Sequence, residues 1–298
     1  MKHLLTIEQL DPQDIQIILH EARQMKAGRG KTNTPILAGQ TWALLFTKAS
    51  TRTRVSFEVG IHELGGNTIF LSAAETQLGR GEPIRDTARV LGRMVHGAII
   101  RTYAQSDVEE FARYAQIPTI NALTDEEHPC QILSDIFTYE EKRGSIKGKK
   151  IAFIGDGACN VARSWMWAAK KLQFQLYIAS PKEYFPPQEV LLKTADYVTC
   201  TTDPIEAARG AEVLYTDVWV SMGKESESQE RLLRFTGYQI NKTLLSVAKP
   251  DALVMHCLPA YRGKEIDEET FEAHAKTIFD QAENRLHVQK AILKWALS

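Results

Sequence analysis

The chain has 298 residues, which is enough for two domains of ordinary size that each bury a core. Hydrophobic residues make up 44% of the chain and charged residues 24%, a globular composition that excludes a low-complexity or disordered protein. The formal net charge of −1 excludes a general attraction to nucleic acid or to an anionic membrane, so any anion site must be local.

No apolar run approaches membrane-spanning length, and Met1–Leu5 is followed by polar residues rather than by a signal-peptide core. The four cysteines (Cys130, Cys159, Cys200 and Cys257) show no C-x-x-C spacing, which argues against a zinc knot or a disulfide framework. We therefore expect reduced thiols, no metal, and a cytoplasmic protein.

Apolar runs and helical stripes alternate along the chain. The predicted strands are Thr41–Phe46, Ala98–Arg101, Lys150–Ile154, Gln175–Ala179, Tyr197–Cys200, Val213–Thr216 and Ala252–His256. Continuous apolar runs of this kind are typical of strands buried on both faces of a parallel sheet. Ile84, Ala88, Leu91 and Val95 recur at helical spacing between the first two strands. The pattern predicts an α/β protein with two doubly wound domains, each a mainly parallel sheet flanked by helices.

The run Ser50-Thr51-Arg52-Thr53-Arg54 follows the first strand, and a helix is predicted to begin inside it. The first N–H groups of a helix have no partner within the helix, and the peptide dipoles leave partial positive charge there, so an anion binds well. Ser50 or Thr51 is expected to cap the helix, while Arg52 and Arg54 can fork onto phosphate oxygens. The run alone also fits a capped surface helix with solvated arginines.

Three residues of the same half of the chain are further candidates. Arg101 closes a predicted strand at its carboxyl end, where ligands bind in open α/β sheets, although it could equally pair with a carboxylate. His128 precedes Pro129, which suits the first turn of a helix, and Gln131 lies in that turn. From the sequence alone, His128 also fits a cap or a packed side chain.

The second half of the chain contains a turn that imitates a dinucleotide-binding loop. Gly155-Asp156-Gly157 follows a predicted strand, but Asn160 replaces the third glycine, and no ribose-binding acid is evident downstream. A nicotinamide cofactor is therefore disfavoured. Asp217 and Cys257 each follow a predicted strand, so both are candidates, although an aspartate can merely cap a turn and a cysteine is usually inert packing.

Four motifs occur in order: Ser50–Arg54, His128-Pro129-Cys130-Gln131, Asp217-Val218-Trp219-Val220-Ser221-Met222-Gly223 and His256-Cys257-Leu258-Pro259. In this order and at these separations they resemble the aspartate/ornithine carbamoyltransferase family, and the last two resemble its ornithine-specific branch. The resemblance runs over nearly the whole chain.

The resemblance implies transfer of the carbamoyl group from carbamoyl phosphate to the δ-amine of L-ornithine, without a metal or organic cofactor. It also implies a homotrimer or a multiple of trimers, with no nucleic-acid or membrane partner. Residues 1–137 would bind carbamoyl phosphate and residues 138–283 ornithine, while a last helix, at about Asn284–Leu297, would pack residues 284–298 back onto the first domain.

The family's site residues carry over by position. Arg101, His128, Asp217 and Cys257 match the catalytic group. The carbamoyl-phosphate contacts would be Ser50, Thr51, Arg52, Thr53, Gln77, Arg101, His128, Gln131, Cys257, Leu258 and Arg285. Of these, Gln77 would contribute to the active site of a neighbouring subunit. The ornithine contacts would be Asn160, Asp217, Ser221 and Met222. Relatives mostly carry two adjacent asparagines where this chain has Cys159-Asn160, which puts only the first amide in doubt.

Other functions stay open on the sequence alone. A carbamoyltransferase acting on putrescine, aspartate or an N-acylated ornithine would keep the phosphate motif, but the Ser221-Met222-Gly223 segment favours free ornithine. A ligand-binding relative without catalysis is the alternative from a different class.

Overall fold

The structure is a computed structural model that describes residues 1–31, 34–72, 81–220 and 225–298. The chain divides into two compact units: unit 1 comprises Met1–Phe137 and Glu283–Ser298, and unit 2 comprises Thr138–Ala282. Each unit contains one parallel sheet flanked by helices, which confirms the predicted α/β class. None of the helices in the described ranges has the length and apolar character needed to span a bilayer.

The sheet of unit 1 has four strands in the order β2-β1-β3-β4, and every neighbouring pair is parallel. The strands are β1 (Thr41–Phe46), β2 (Asn67–Ser72), β3 (Gly97–Arg101) and β4 (Thr119–Leu123). Strand order reverses between β1 and β3, so one crossover leaves β1 toward β2 and the next returns to β3 on the other side. Phe46 lies beside Arg101 in the register of these two strands.

The helices of unit 1 cover this sheet. They are α1 (Pro12–Gly28), α2 (Thr51–Glu63), α3 (Ile84–Leu91), α4 (Gln105–Ala115) and the first part of α5 (Pro129–Arg143). One side of the core joins the strand residues Ala43 and Ile100 to Val108 and Phe111 of α4. Burying these apolar side chains stabilises the unit by roughly 1.5–3 kcal/mol for each large residue.

The sheet of unit 2 has five parallel strands in the order β7-β6-β5-β8-β9. The strands are β5 (Lys150–Ile154), β6 (Gln175–Ala179), β7 (Val198–Thr201), β8 (Val213–Thr216) and β9 (Leu253–His256). The helices are α6 (Asn160–Leu172), α7 (Gln188–Thr194), α8 (Pro204–Ala208), α9 (Ser228–Arg234), α10 (Lys242–Val247) and the first part of α11 (Glu268–Ala296), whose residues from Glu283 onward belong to unit 1. Order reverses here between β5 and β8.

Each predicted strand is present, with ends that move by at most one residue. Strands β2 and β4 were not singled out from the sequence. The last helix is longer than predicted, because α11 begins at Glu268 rather than near Asn284. Asp267 explains the earlier start: its carboxylate accepts a 2.6 Å hydrogen bond from the Thr270 N–H, the contact expected of a helix cap.

Candidate active site

In unit 1, the Ser50–Arg54 turn and Arg101 lie at the carboxyl ends of β1 and β3, where the strand order reverses. This is the place where open parallel sheets bind ligands, because the two crossovers lead away in opposite directions and leave a crevice. The segment after β1 carries the Ser50–Arg54 turn, and β3 ends on Arg101.

Helix α2 begins as the sequence predicts. Ser50 is its N-cap, with extended backbone angles, and its hydroxyl oxygen accepts a hydrogen bond from the Thr53 N–H at 3.3 Å. Arg52 is half-buried. Arg54 contacts other groups: its Nε donates to Glu58 Oε1 at 2.9 Å, and its guanidinium lies 3.7 Å from the centre of the Phe70 ring. The helix start that the sequence predicts as an anion site is therefore present, and Arg52 is a member of its first turn.

Two arginines and a histidine are buried together beside this turn. Arg285 of α11 donates from Nη2 to the Thr53 hydroxyl at 2.8 Å, and Thr53 is fully buried. Burial, reinforced by the positive charges of Arg285 and Arg101, holds the pKa of His128 well below its usual range. At neutral pH His128 is therefore an uncharged imidazole among cationic donors, and the cluster carries positive charge suited to an anion.

Gln131 lies in the first turn of α5 and is buried. Its backbone N–H donates to the His128 carbonyl at 3.1 Å, so its position is coupled to that of the histidine. Lys48 is also buried. It forms an ion pair with Asp125 and lies 4.2 Å from the centre of the Tyr103 ring. Lys48 thereby ties together the loops that follow β1, β3 and β4.

In unit 2, the candidate residues follow strands β5, β8 and β9. Thr216 and His256 are neighbours in the parallel register, so the next residues, Asp217 and Cys257, emerge side by side. The Cys257 thiol donates a hydrogen bond to Asp217 Oδ1 at 2.9 Å, and the same oxygen accepts from the Val218 N–H at 2.7 Å. The pair presents a carboxylate and a thiol, which can receive an amine.

The turn after Cys257 is fixed by a buried pair that the sequence did not reveal. Leu258 has a left-handed backbone (φ 59°), which is unfavourable for a residue with a side chain, and its N–H donates to His256 Nδ1 at 2.8 Å. Since Nδ1 accepts, the ring proton is on Nε2, which faces Glu265 at 3.2 Å. His256 and Glu265 are fully buried and hold the Leu258 backbone in place.

Within the described part of the chain, one group of side chains has donor atoms close enough together to hold a metal ion. The group consists of Asp217, His256 and Cys257. Both ring nitrogens of His256 are already engaged, one by the Leu258 N–H and one by Glu265. Two donors remain, whereas zinc sites in proteins usually supply three or four. These residues therefore do not fit a zinc site in this arrangement.

A second buried ion pair connects the loops after β5 and β8. Arg231 of α9 donates from Nη1 to Asp156 Oδ2 at 2.7 Å and to the Trp219 carbonyl at 3.2 Å, and its Nε donates to Glu227 at 2.9 Å. Burial raises the pKa of Asp156, while the Arg231 charge opposes that shift. Arg231 thus fixes the turn that leads to Asn160 and the loop that starts at Asp217.

Three expected contacts lie outside the described residues: Gln77, Ser221 and Met222. Within each unit, the structure brings several of the described candidates together. Unit 1 brings Thr53, Arg101, His128 and Arg285 together, and unit 2 brings Asp217 and Cys257 together.

Comparison with known proteins agrees with this arrangement. Residues 2–141 match the family model described as the aspartate/ornithine carbamoyltransferase carbamoyl-P binding domain, and residues 147–296 match the Asp/Orn binding domain of the same family. The chain belongs to the aspartate/ornithine carbamoyltransferase family.

Individual relatives of the family match along nearly the full chain. An ornithine carbamoyltransferase from Akkermansia muciniphila is 58% identical, and the match covers 98% of this chain and 97% of that protein. The solved ornithine carbamoyltransferase from Pyrococcus furiosus is 44% identical with a TM-score of 0.92, covering 98% of this chain and 96% of that one. The anabolic enzyme from Campylobacter jejuni is 42% identical with a TM-score of 0.93, covering 99% of both chains.

Within this carbamoyltransferase family, the chain departs from the expected pattern at Cys159. The residue is the N-cap of α6, and its sulfur accepts the Ala162 N–H at 3.4 Å, so the thiol occupies the capping position. Burial, then the charges of Asp156 and Asp217, raise the pKa of Cys159 well above its usual value. The thiol stays protonated and acts as a cap.

Replacing Arg231 with methionine is expected to destabilise unit 2 of this carbamoyltransferase by about 3–5 kcal/mol, because Asp156 would stay buried without its counter-charge. Arg234→Met is the matched control: Arg234 lies on the same helix, but its ion pair with Glu183 is exposed and worth about 0–1 kcal/mol. Chemical denaturation measures both variants. Equal stability of the two variants would contradict a structural role for the buried pair, and Arg231→Met/Asp156→Asn should recover part of the loss.

Proposed function

We propose that the protein transfers the carbamoyl group of carbamoyl phosphate to the δ-amine of L-ornithine. The amine nitrogen attacks the carbonyl carbon, the bond to the phosphate oxygen breaks, and a proton leaves the nitrogen, giving L-citrulline and phosphate. The observation that carries the proposal is the buried cluster of Arg101, His128, Arg285 and Thr53, in a chain whose near full-length relatives are named ornithine carbamoyltransferase.

The cluster has the chemistry that this reaction needs at the carbonyl oxygen. Attack by an amine builds negative charge on that oxygen, and fixed donors aimed at it lower the barrier. We assign this role to Arg101, His128 and Thr53. Because His128 is neutral at pH 7, it donates a hydrogen bond without adding charge, and the arginines supply the positive potential.

The leaving phosphate is assigned to the start of α2. Ser50, Thr51, Arg52 and Thr53 offer hydroxyls, a guanidinium and N–H groups of the first helical turn, which carry the partial positive charge of the helix start. None of them has to form a covalent bond with the substrate, because positioning and charge stabilisation are sufficient. Arg285 is assigned to the carbamoyl end of the same ligand, since it already contacts Thr53.

Ornithine is assigned to unit 2. Asp217 would pair with its α-amino group, Cys257 would contact the side-chain amine, and Asn160 would bind the amino acid from the start of α6. The hydrogen bond between Cys257 and Asp217 supports the assignment, because it places a sulfur and a carboxylate within reach of one substrate. Ser221 and Met222 would complete the contacts, and the Leu258 backbone and Cys257 would contact carbamoyl phosphate.

The assembly we propose is a homotrimer, with Gln77 contributed to a neighbouring subunit. Val55 and Ile69 are apolar side chains about half exposed on unit 1, and contact with a second subunit would bury them. We further propose a cytoplasmic enzyme of arginine biosynthesis. The description of a 42% identical relative as anabolic supports that direction.

Arg101→Ala is expected to lower kcat by about 10²–10³, because one donor to the developing oxyanion is lost. Arg54→Ala is the control: it also removes a guanidinium from unit 1, but one that contacts Glu58 and Phe70, so its kcat should stay near that of the wild type. Steady-state kinetics with both substrates saturating measures the difference. Unchanged turnover in Arg101→Ala would contradict the assignment.

The rate at non-saturating ornithine should rise with pH between 6 and 8. The δ-amine resembles that of lysine, whose reference pKa is about 10.4, so the reactive neutral fraction grows roughly tenfold per pH unit. Because the pKa of His128 is lowered, this residue stays neutral over the same interval and does not oppose the rise. Initial rates at saturating carbamoyl phosphate measure the slope, and a flat profile would argue against a neutral-amine nucleophile.

A further inference from the structure

Helix α5 carries a buried amide whose orientation is set by a neighbour on the same helix. Gln131 Nε2 donates a hydrogen bond to Asp135 Oδ1 at 2.8 Å, and the two residues are four positions apart, on one face. Both side chains are almost completely buried. The other end of the amide, Gln131 Oε1, is buried and accepts no hydrogen bond from the described residues.

The chemistry of Asp135 determines which end of the Gln131 amide faces it. A carboxylate offers only acceptors, so the group facing it must be the NH₂ of Gln131, and the oxygen must face away. A buried acceptor without a donor is unfavourable, and such groups are rare in folded proteins unless a ligand or water supplies the donor. Gln131 therefore offers an acceptor for a ligand N–H.

The position of this acceptor connects it to the cationic cluster of unit 1. Gln131 is in the first turn of α5, and its N–H is bonded to the carbonyl of His128, which lies near Arg101 and Arg285. If the proposed function holds, the carbamoyl group binds beside His128, and its NH₂ is the only donor that the bound acyl phosphate has.

We propose that Asp135 is a positioning residue that selects the carbamoyl group over other acyl groups. It holds the amide of Gln131 with its oxygen toward the ligand, so that an acyl phosphate bearing NH₂ satisfies the acceptor and one bearing a methyl group does not. This inference rests on the proposed function, because it assumes that carbamoyl phosphate is the ligand. In this proposal, Asp135 acts on the ligand through Gln131 rather than by contacting it.

Acetyl phosphate is the matched probe. It has the same phosphate and carbonyl as carbamoyl phosphate, with a methyl group in place of NH₂. The ratio of the two dissociation constants therefore isolates the contact made by the amino group, and inorganic phosphate reports the anion site alone. Isothermal titration of the whole protein with fresh solutions of each ligand gives all three values.

In Asp135→Leu, the ratio of the acetyl to the carbamoyl phosphate dissociation constant should fall on the order of tenfold, since the amide is free to turn. Asp135→Ala is a second variant that also lacks the acceptor and requires less space. Gln131→Met should give the same fall. Combining Gln131→Met with Asp135→Leu should lower the ratio no further, because Asp135 acts through Gln131. If each substitution instead disturbed the structure independently, the two effects on the ratio would add in the double variant.

Two controls complete the test. Asp135→Asn still offers an oxygen to the Gln131 NH₂ and should keep most of the discrimination. Ile136→Val changes the packing of the same helix and should leave the ratio within about twofold of the wild type. In all variants, the dissociation constant of inorganic phosphate should stay within about twofold.

The outcomes distinguish the positioning role of Asp135 from the proposed function. An unchanged ratio in Asp135→Leu and Asp135→Ala, with carbamoyl phosphate still bound, would overturn the positioning role and leave the proposed function standing. A wild-type protein that binds none of the three ligands would overturn the proposed function and this inference with it. A fall that is equal in the Asp135 and Gln131 variants and is not additive supports the inference.

Discussion

Both candidate sites are positioned by the adjacency of two strands: β1 and β3 in one sheet, and β5 and β8 in the other. Parallel strands deliver all their carboxyl ends to one edge, and a reversal of strand order opens a crevice there. Arg101 ends β3 beside the turn that follows β1, and Asp217 follows β8 beside the turn that follows β5. Residues far apart in sequence therefore meet without a long connecting loop.

The two units place opposite charge at these crevices. Unit 1 buries the guanidiniums of Arg101 and Arg285 around a neutral His128, which favours a dianionic ligand. Unit 2 offers the Asp217 carboxylate and the Cys257 thiol, which favour a cationic amino acid that loses a proton from its nucleophilic amine. The proposed reaction joins an anion that carries an electrophilic carbon to such an amine, so each unit matches one substrate.

The fold class and the helix start at Ser50 could be predicted from the sequence, because apolar runs, caps and turns are local signals. The structure also shows where local signals are insufficient. The start of α11 at Glu268 was missed, since its first turns are largely polar and only the capping aspartate before them marks it. The ion pair of Arg231 with Asp156 joins residues 75 positions apart, which no local pattern predicts. The hydrogen bond between Gln131 and Asp135 joins neighbours on one helix, but the sequence does not show that both side chains are buried. The roles of all the site residues stay predictions, and Gln77, Ser221 and Met222 also lie outside the described residues.

Carbamoyl transfer to ornithine can be measured with a colorimetric assay for ureido product, with carbamoyl phosphate near pH 8. Ornithine, putrescine, aspartate and N-acetylornithine are offered in parallel, and Arg101→Ala serves as the matched protein with a damaged phosphate unit. We expect product with ornithine alone and a large loss in the variant. Product with a different amine would contradict the assignment of unit 2 to ornithine, and no product with any amine would contradict catalysis by this chain.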